Sequence, residues 1–156
     1  MNPLNISRRL LCVGLAAAAL SVSAWADDRG TKDEAKAMVD AALAHIKKAG
    51  VEHAYKDFTS DKATWTKKDL YVFVMDLNGK MLSHGANEKL IGRDLSNLKD
   101  SSGHTFVVDM VATAKKGGGW VDYEWADPQT KKVEGKSSLV KLTPAGDSFV
   151  GVGVYR

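Results

Sequence analysis

Cysteine is nearly missing from this chain of 156 residues: the only one, Cys12, lies in an apolar N-terminal segment. Beyond that segment no disulfide, thiolate nucleophile or cysteine metal site can form, so the fold must stand on its hydrophobic core. Proline is scarce too, with three residues, and no low-complexity tail or internal repeat is present. Neither sign of charge dominates: 22 Lys and Arg stand against 19 Asp and Glu. They are interspersed, without the basic stripe of a nucleic-acid binder, so no polyanion partner is expected. His45, His53, His84 and His104 show no paired spacing for a metal. Asp76-Leu77-Asn78-Gly79 lacks the spaced oxygens and closing glutamate of a calcium loop and reads as a turn. Gly117-Gly118-Gly119 follows a helical pattern instead of opening one, the wrong polarity for phosphate, and no serine sits in a strained turn. With no metal, cofactor or nucleophile motif, the chemistry on offer is recognition; an enzyme is not expected.

What is present begins with a leader. Arg8 and Arg9 form a positive n-region, Leu10 to Val22 an apolar h-region, and Ala24-Trp25-Ala26 an A-x-A cleavage site, the pattern of a secretory signal peptide over 1–26. Ser7-Arg8-Arg9 matches a twin-arginine signal only in its arginine pair, so general secretion is the default. Cleavage predicts a periplasmic chain that starts at Asp27 and forms one domain over 27–156.

That domain opens with a helix. Thr31-x-x-Glu34 is a capping box, Ala35, Met38, Val39, Ala42 and Ile46 share a face, and Gly50 stands at the C-terminal cap. A shorter helix over about 51–58 and a polar connector over 61–68 follow. Leu70 to Met75 is apolar on both parities, as in a strand covered on both faces, and Asn78-Gly79 predicts a hairpin to Lys80–His84. The spacing of Phe106, Val107, Met110, Val111 and Ala114 predicts a second amphipathic helix within 104–116. Three strands finish the chain: 120–125, 136–142 and 149–155. Helix, two strands, helical crossover and three strands together give an α+β, PAS-like fold, a five-stranded antiparallel sheet with a long N-terminal helix on one face and the crossover on the other.

Alternation along the strands singles out one side of that sheet. Val150, Val152 and Val154 share a face; Gly151 and Gly153 share the other with Phe149 and Tyr155. The two missing side chains either floor a pocket or admit a packed neighbour. Tyr123 and Trp125 lie on one face of their strand, large rings with polar tips that could wall a site or fill a core, and Tyr71 and Phe73 are weighed the same way. Lys136, opening a strand beside Ser137 and Ser138, is either solvated or a point charge for a carboxylate, with Ser138 on its side. His84 could donate to the same anion or cap its loop.

Several spaced blocks carry a family resemblance: Asp69-Leu-Tyr-Val-Phe-Val-Met-Asp-Leu-Asn-Gly79, Leu82-Ser-His84, Asn87-x-x-Leu90-x-Gly92, Gly118-Gly-Trp-Val-Asp-Tyr-Glu-Trp125, Lys136-Ser-Ser138 and Gly151-Val-Gly-Val-Tyr155. In this order they resemble a single Cache domain of the type 2 group over nearly the whole of 27–156. The resemblance implies an extracytoplasmic sensor that binds a small molecule, frequently a short carboxylate, between sheet and crossover, and that works with a membrane receptor or kinase. The ligand residues it implies, together with the strand faces, are Tyr71, Phe73, His84, Tyr123, Trp125, Lys136, Ser138, Gly151 and Gly153. Gly85 and Leu139 depart from the family's frequent proline and tyrosine; the lost hydroxyl at Leu139 implies a different ligand if that hydroxyl holds one. The expected function is therefore a periplasmic small-molecule sensor module. The other reading is a non-catalytic protein-interaction subunit whose pocket is filled by its own side chains.

Overall fold

The computed structural model describes residues 28–156; the expected leader and its cleavage site lie outside the described residues. Helix α1, Lys32–Ala49, starts at the anticipated capping box: the Thr31 hydroxyl accepts from Glu34 N, and the Glu34 carboxylate accepts from Thr31 N. Gly50, with φ 85°, ends it and leads into α2, Val51–Ser60. Ala35, Val39, Ala42 and Ile46 are the buried stripe of α1. Thr31→Ala should lower unfolding stability by about 1 kcal/mol, with no change in ligand affinity, as chemical denaturation and titration of the variant would register.

The connector at 61–68 is more structured than its polarity suggests. Asp61 caps a single turn, α3 (Lys62–Trp65), and Trp65 is buried edge-on against Phe58, with ring centroids 4.6 Å apart. One large ring organises the segment, because leaving its apolar area in water would cost more than ordering a few polar residues. A two-residue strand, β1 (Thr66–Lys67), follows.

The sheet runs β1-β2-β6-β5-β4, all antiparallel, with β3 also pairing β2. Its strands are β2 Leu70–Asp76, β3 Met81–His84, β4 Gly119–Ala126, β5 Val133–Leu142 and β6 Ser148–Tyr155. The five anticipated strands are present; the sixth, β1, sits on the β3 side of β2 and pairs only with Leu70 and Tyr71. The β2–β3 turn is an Asx turn, with Asp76 Oδ1 accepting from Asn78 N and Lys80 N and Gly79 at φ 90°. Helix α4, Phe106–Lys115, starts two residues after His104, and Gly117 and Gly118 at positive φ end it.

The sheet separates two cores. Against α1 and α2 lie Val72, Val74, Leu139, Val150, Val152 and Val154. Against α4 lie Tyr71, Phe73, Met75, Val121, Tyr123, Phe149 and Tyr155. Every residue of β6 is buried, and β2 is buried through Met75, as expected for strands covered on both faces. The valine and glycine–aromatic faces anticipated for β6 are the two faces observed.

Candidate functional site

Lys136 does not open its strand. β5 begins three residues earlier, at Val133, because the β4–β5 turn is tight: Asp127 N donates to Lys132 O, and the Asp127 carboxylate accepts from Gln129 N and Thr130 N. The lysine is thus drawn inside the sheet, opposite Tyr123 on one side and Tyr155 on the other. It is 1% exposed. Its ammonium donates to the Tyr71 hydroxyl at 2.7 Å and lies 4.1, 4.8 and 5.8 Å from the ring centroids of Tyr71, Tyr155 and Phe73. Among the described residues no carboxylate comes within 4.0 Å of it. Burial pulls its pKa down to about 7, against the opposing fields of Asp69 and Asp127.

Around it the hydroxyls form a chain. Tyr71 and Tyr155 meet at 3.3 Å, and Tyr155 donates to Ala126 O at 2.7 Å. Tyr123 and Ser138 share a bond of 2.9 Å. His84 accepts at Nδ1 from Ala86 N and Asn87 N, at 3.2 and 2.9 Å, which leaves the neutral ring's proton on Nε2 as a donor. Burial first, then Lys136 and Lys62, push its pKa down to about 3. His84 therefore caps its loop with one nitrogen and keeps the other as a donor; the two roles weighed for it are compatible.

Six of the residues singled out by sequence, Tyr71, Phe73, His84, Tyr123, Trp125 and Lys136, line one small cavity with Met75, Met81, Phe106 and Met110. Its volume is about 10 Å³, room for about one water molecule. Trp125 forms part of its wall and also of two outer grooves, of about 420 and 250 Å³. Tyr71 and His84 also reach the larger groove, which continues past Asn87, Leu90 and Asp127. Phe106 stacks on Tyr123 with centroids 4.5 Å apart and meets Trp125 edge-on.

The remaining three stand one layer back. Ser138 reaches the cavity through Tyr123. A Cβ at Gly151 would strike the Phe73 ring, and one at Gly153 would strike Ser138 Oγ and Lys136 Cε. The glycines thus make room for Phe73, Ser138 and Lys136. Gly153→Ala should cost about 1–3 kcal/mol of stability by overpacking and weaken binding by displacing Lys136; denaturation and calorimetry on the variant would check both. Leu139 belongs to the core under α1, so its lost hydroxyl does not bear on this cavity. Gly85 is a glycine for room: a Cβ there would lie 3.0 Å from Tyr71 Cβ and 3.2 Å from two backbone oxygens.

Sequence reading missed an ionic cluster beside the site. Arg29 pairs with Asp69, Asp127 and Glu134, at 3.3 Å to Asp69 and 3.0 Å to Glu134, and both aspartate side chains are fully buried. These partners lie 40, 98 and 105 positions from Arg29, so no local spacing announces them. Elsewhere His45 of α1 bonds Asp57 of α2 at 2.8 Å, joining the two helices, and His53 lies 3.4 Å from the same carboxylate within α2.

Comparison with known proteins bears on the family and the fold. The family described as Single Cache domain 2 matches residues 22–156. The sensor histidine kinase MctS of Rhizobium johnstonii is 35% identical over 56% of this chain, a stretch that makes up 19% of the kinase. The methyl-accepting chemotaxis protein McpP of Pseudomonas putida is 36% identical over 56% of this chain and 16% of its own. The matched region thus spans less than a fifth of either relative. Among solved structures, a methyl-accepting chemotaxis protein from Vibrio parahaemolyticus aligns with TM-score 0.70 and 24% identity over 80% of this chain and 87% of its own, a likeness of fold. A Cache chemosensory domain, described in terms of its carboxylic acid recognition, aligns with TM-score 0.62 and 28% identity over 79% of this chain and 86% of its own.

Proposed function

The chain belongs to the single Cache domain 2 family, and from that premise we propose that it is a periplasmic sensor module, exported through a cleaved signal peptide over 1–26, that binds a short organic carboxylate at Lys136. One observation carries the reading: a fully buried ammonium whose nearest partners are a phenol and three ring faces, with no carboxylate beside it among the described residues. A buried charge left without a counter-ion is costly unless something pairs with it. An incoming carboxylate would take donors from Lys136, from the hydroxyl chain and from His84 Nε2. Its tail would meet Phe73, Met75, Met81, Phe106 and Met110. That lining holds no second cation for a dicarboxylate and no acid for an amino group, so the ligand is a monocarboxylate with a short aliphatic tail. We also propose that the module presents its bound state to a membrane signalling partner, a reading supported by its similarity to a sensor histidine kinase and a methyl-accepting chemotaxis protein.

A cavity of about 10 Å³ does not hold such an acid without movement. Trp125 lines the cavity and both outer grooves, with Tyr71 and His84 beside it toward the larger one, and the three methionines are unbranched and adaptable. Binding therefore swings Trp125 and repacks the methionines, which should change tryptophan fluorescence. The small cavity also favours a second reading, a protein-interaction subunit with a filled pocket. A thermal-shift screen of residues 27–156 with acetate, propionate, butyrate, succinate, alanine and propylamine separates the two. A bound acid at a hundred times its Kd should add about 2.7 kcal/mol of stability, for the monocarboxylates alone. Stabilisation by none of them, with unchanged fluorescence, would overturn carboxylate sensing and leave the filled pocket. Intact mass of periplasmic material should show a chain starting at Asp27; a mass retaining Met1 would refute the export step.

A further inference from the structure

Two cations share the Tyr155 ring. Lys136 Nζ lies 4.8 Å from its centroid and Arg29 Cζ 5.9 Å, so with these distances laid end to end the charges are within about 11 Å of each other. Their counter-ions are unevenly divided. Asp69 and Asp127, buried at 1% exposure each, are the acids whose fields reach Lys136, yet both are bonded to Arg29. Glu134 occupies the second terminal nitrogen of the guanidinium. The planar fork of arginine suits this arrangement, since it can hold several carboxylates at once in fixed directions.

We infer that Arg29 is a specificity-determining residue of the carboxylate site: by binding Asp69 and Asp127 it keeps them from serving as counter-ions to Lys136 and so reserves the buried ammonium for an anionic ligand. The inference rests on the proposed carboxylate site and adds a residue outside the cavity lining. Arg29 acts through Asp69 and Asp127 and through its own charge. Without it, two buried carboxylates would face one lysine, and the net charge around the pocket would turn against any anion. In a protein interior a unit charge at this separation is felt across the site.

The test compares two variants that break the same ion pair from opposite ends. Arg29→Gln removes the positive charge: with affinities measured at about pH 5.5, below the Lys136 titration so that the ammonium is present in every variant, affinity for propionate should fall about tenfold, and the titration of Lys136, followed by NMR of isotope-labelled lysine and assigned with Lys136→Met, should move to higher pH. Asp127→Asn keeps the side chain's shape and acceptor oxygen but removes a negative charge: affinity should rise, and the Lys136 titration should move to lower pH. Damage to packing would weaken binding in both variants, so opposite signs identify the electrostatic role. Equal affinities in both variants and the parent, or losses in both, would overturn the inference while leaving the carboxylate site standing. If the parent binds no propionate, the carboxylate site fails instead, and the lysine titrations still decide whether Arg29 governs Lys136. If Arg29→Gln does not fold, Asp127→Asn alone decides: an unmoved or upward Lys136 titration refutes the role.

Discussion

Lys136→Met is expected to remove carboxylate binding, by about 30-fold or more, without unfolding the protein. Truncating one partner of a buried charge pair costs on the order of 2–5 kcal/mol, because the other charge is left desolvated and alone. Here the ligand would be that other charge. Stability should move the other way. In the ligand-free protein the ammonium is buried without a carboxylate beside it, and replacing such a charge by an apolar side chain of similar length is often neutral or stabilising. Lys141 supplies the control. It lies on the opposite parity of β5, and its ammonium bonds Asp40 of α1 at 2.7 Å on a partly exposed surface. Lys141→Ala should leave affinity unchanged and cost under about 1 kcal/mol of stability. Calorimetric titration with propionate and urea denaturation of both variants decide the matter. Parental affinity in Lys136→Met would remove the lysine from the site; a larger loss at Lys141 would place the ligand on the α1 face of the sheet.

The parts of this architecture that were legible beforehand share a physical cause. Period-two alternation put the valines of β6 under α1 and its glycines with the aromatic face, as observed, because a strand buried on both sides still sorts its residues by parity. The capping box of α1 and the Asn78-Gly79 turn depend on neighbours within three or four positions. Burial of Lys136 was not decidable from its surroundings in sequence. It follows from where β5 begins, which the Asp127 turn sets, and from Gly153, which leaves room for the lysine's own stem. Trp65 was hidden in a polar stretch, and its place against Phe58 is a tertiary fact. Arg29 was invisible for the same reason more strongly: its acids come from the segments before β2, after β4 and at the start of β5. Charge clusters assembled across a sheet leave no period for a reader to find.

Between pH 7 and 10 the free protein should become more stable while its affinity for a carboxylate falls. Lys136 titrates at about 7 in the folded state because of burial, against about 10.4 in an unfolded chain. In that window the unfolded chain binds one more proton than the native state, so unfolding free energy rises with pH, by up to about 1.4 kcal/mol per pH unit. Below pH 7 both states hold the lysine proton and its contribution to the slope vanishes; below about pH 6.5 His84 takes over, protonated in the unfolded chain and neutral in the native state. Above about pH 10 the slope reverses, because burial raises the pKa values of Tyr71, Tyr123 and Tyr155 and the native state then holds protons that the unfolded chain has lost. His84, pushed down to about 3, stays neutral throughout and does not confuse the reading. The ligand requires the ammonium, so its affinity should drop by up to about tenfold per pH unit from pH 7 until the lysine's own pKa in the complex is reached. Lys136→Met should flatten the stability slope. Urea midpoints and propionate titrations at pH 7, 8 and 9 would test the pair of trends; a parent whose stability does not climb across this range would mean that the lysine is not held as a buried, unneutralised charge.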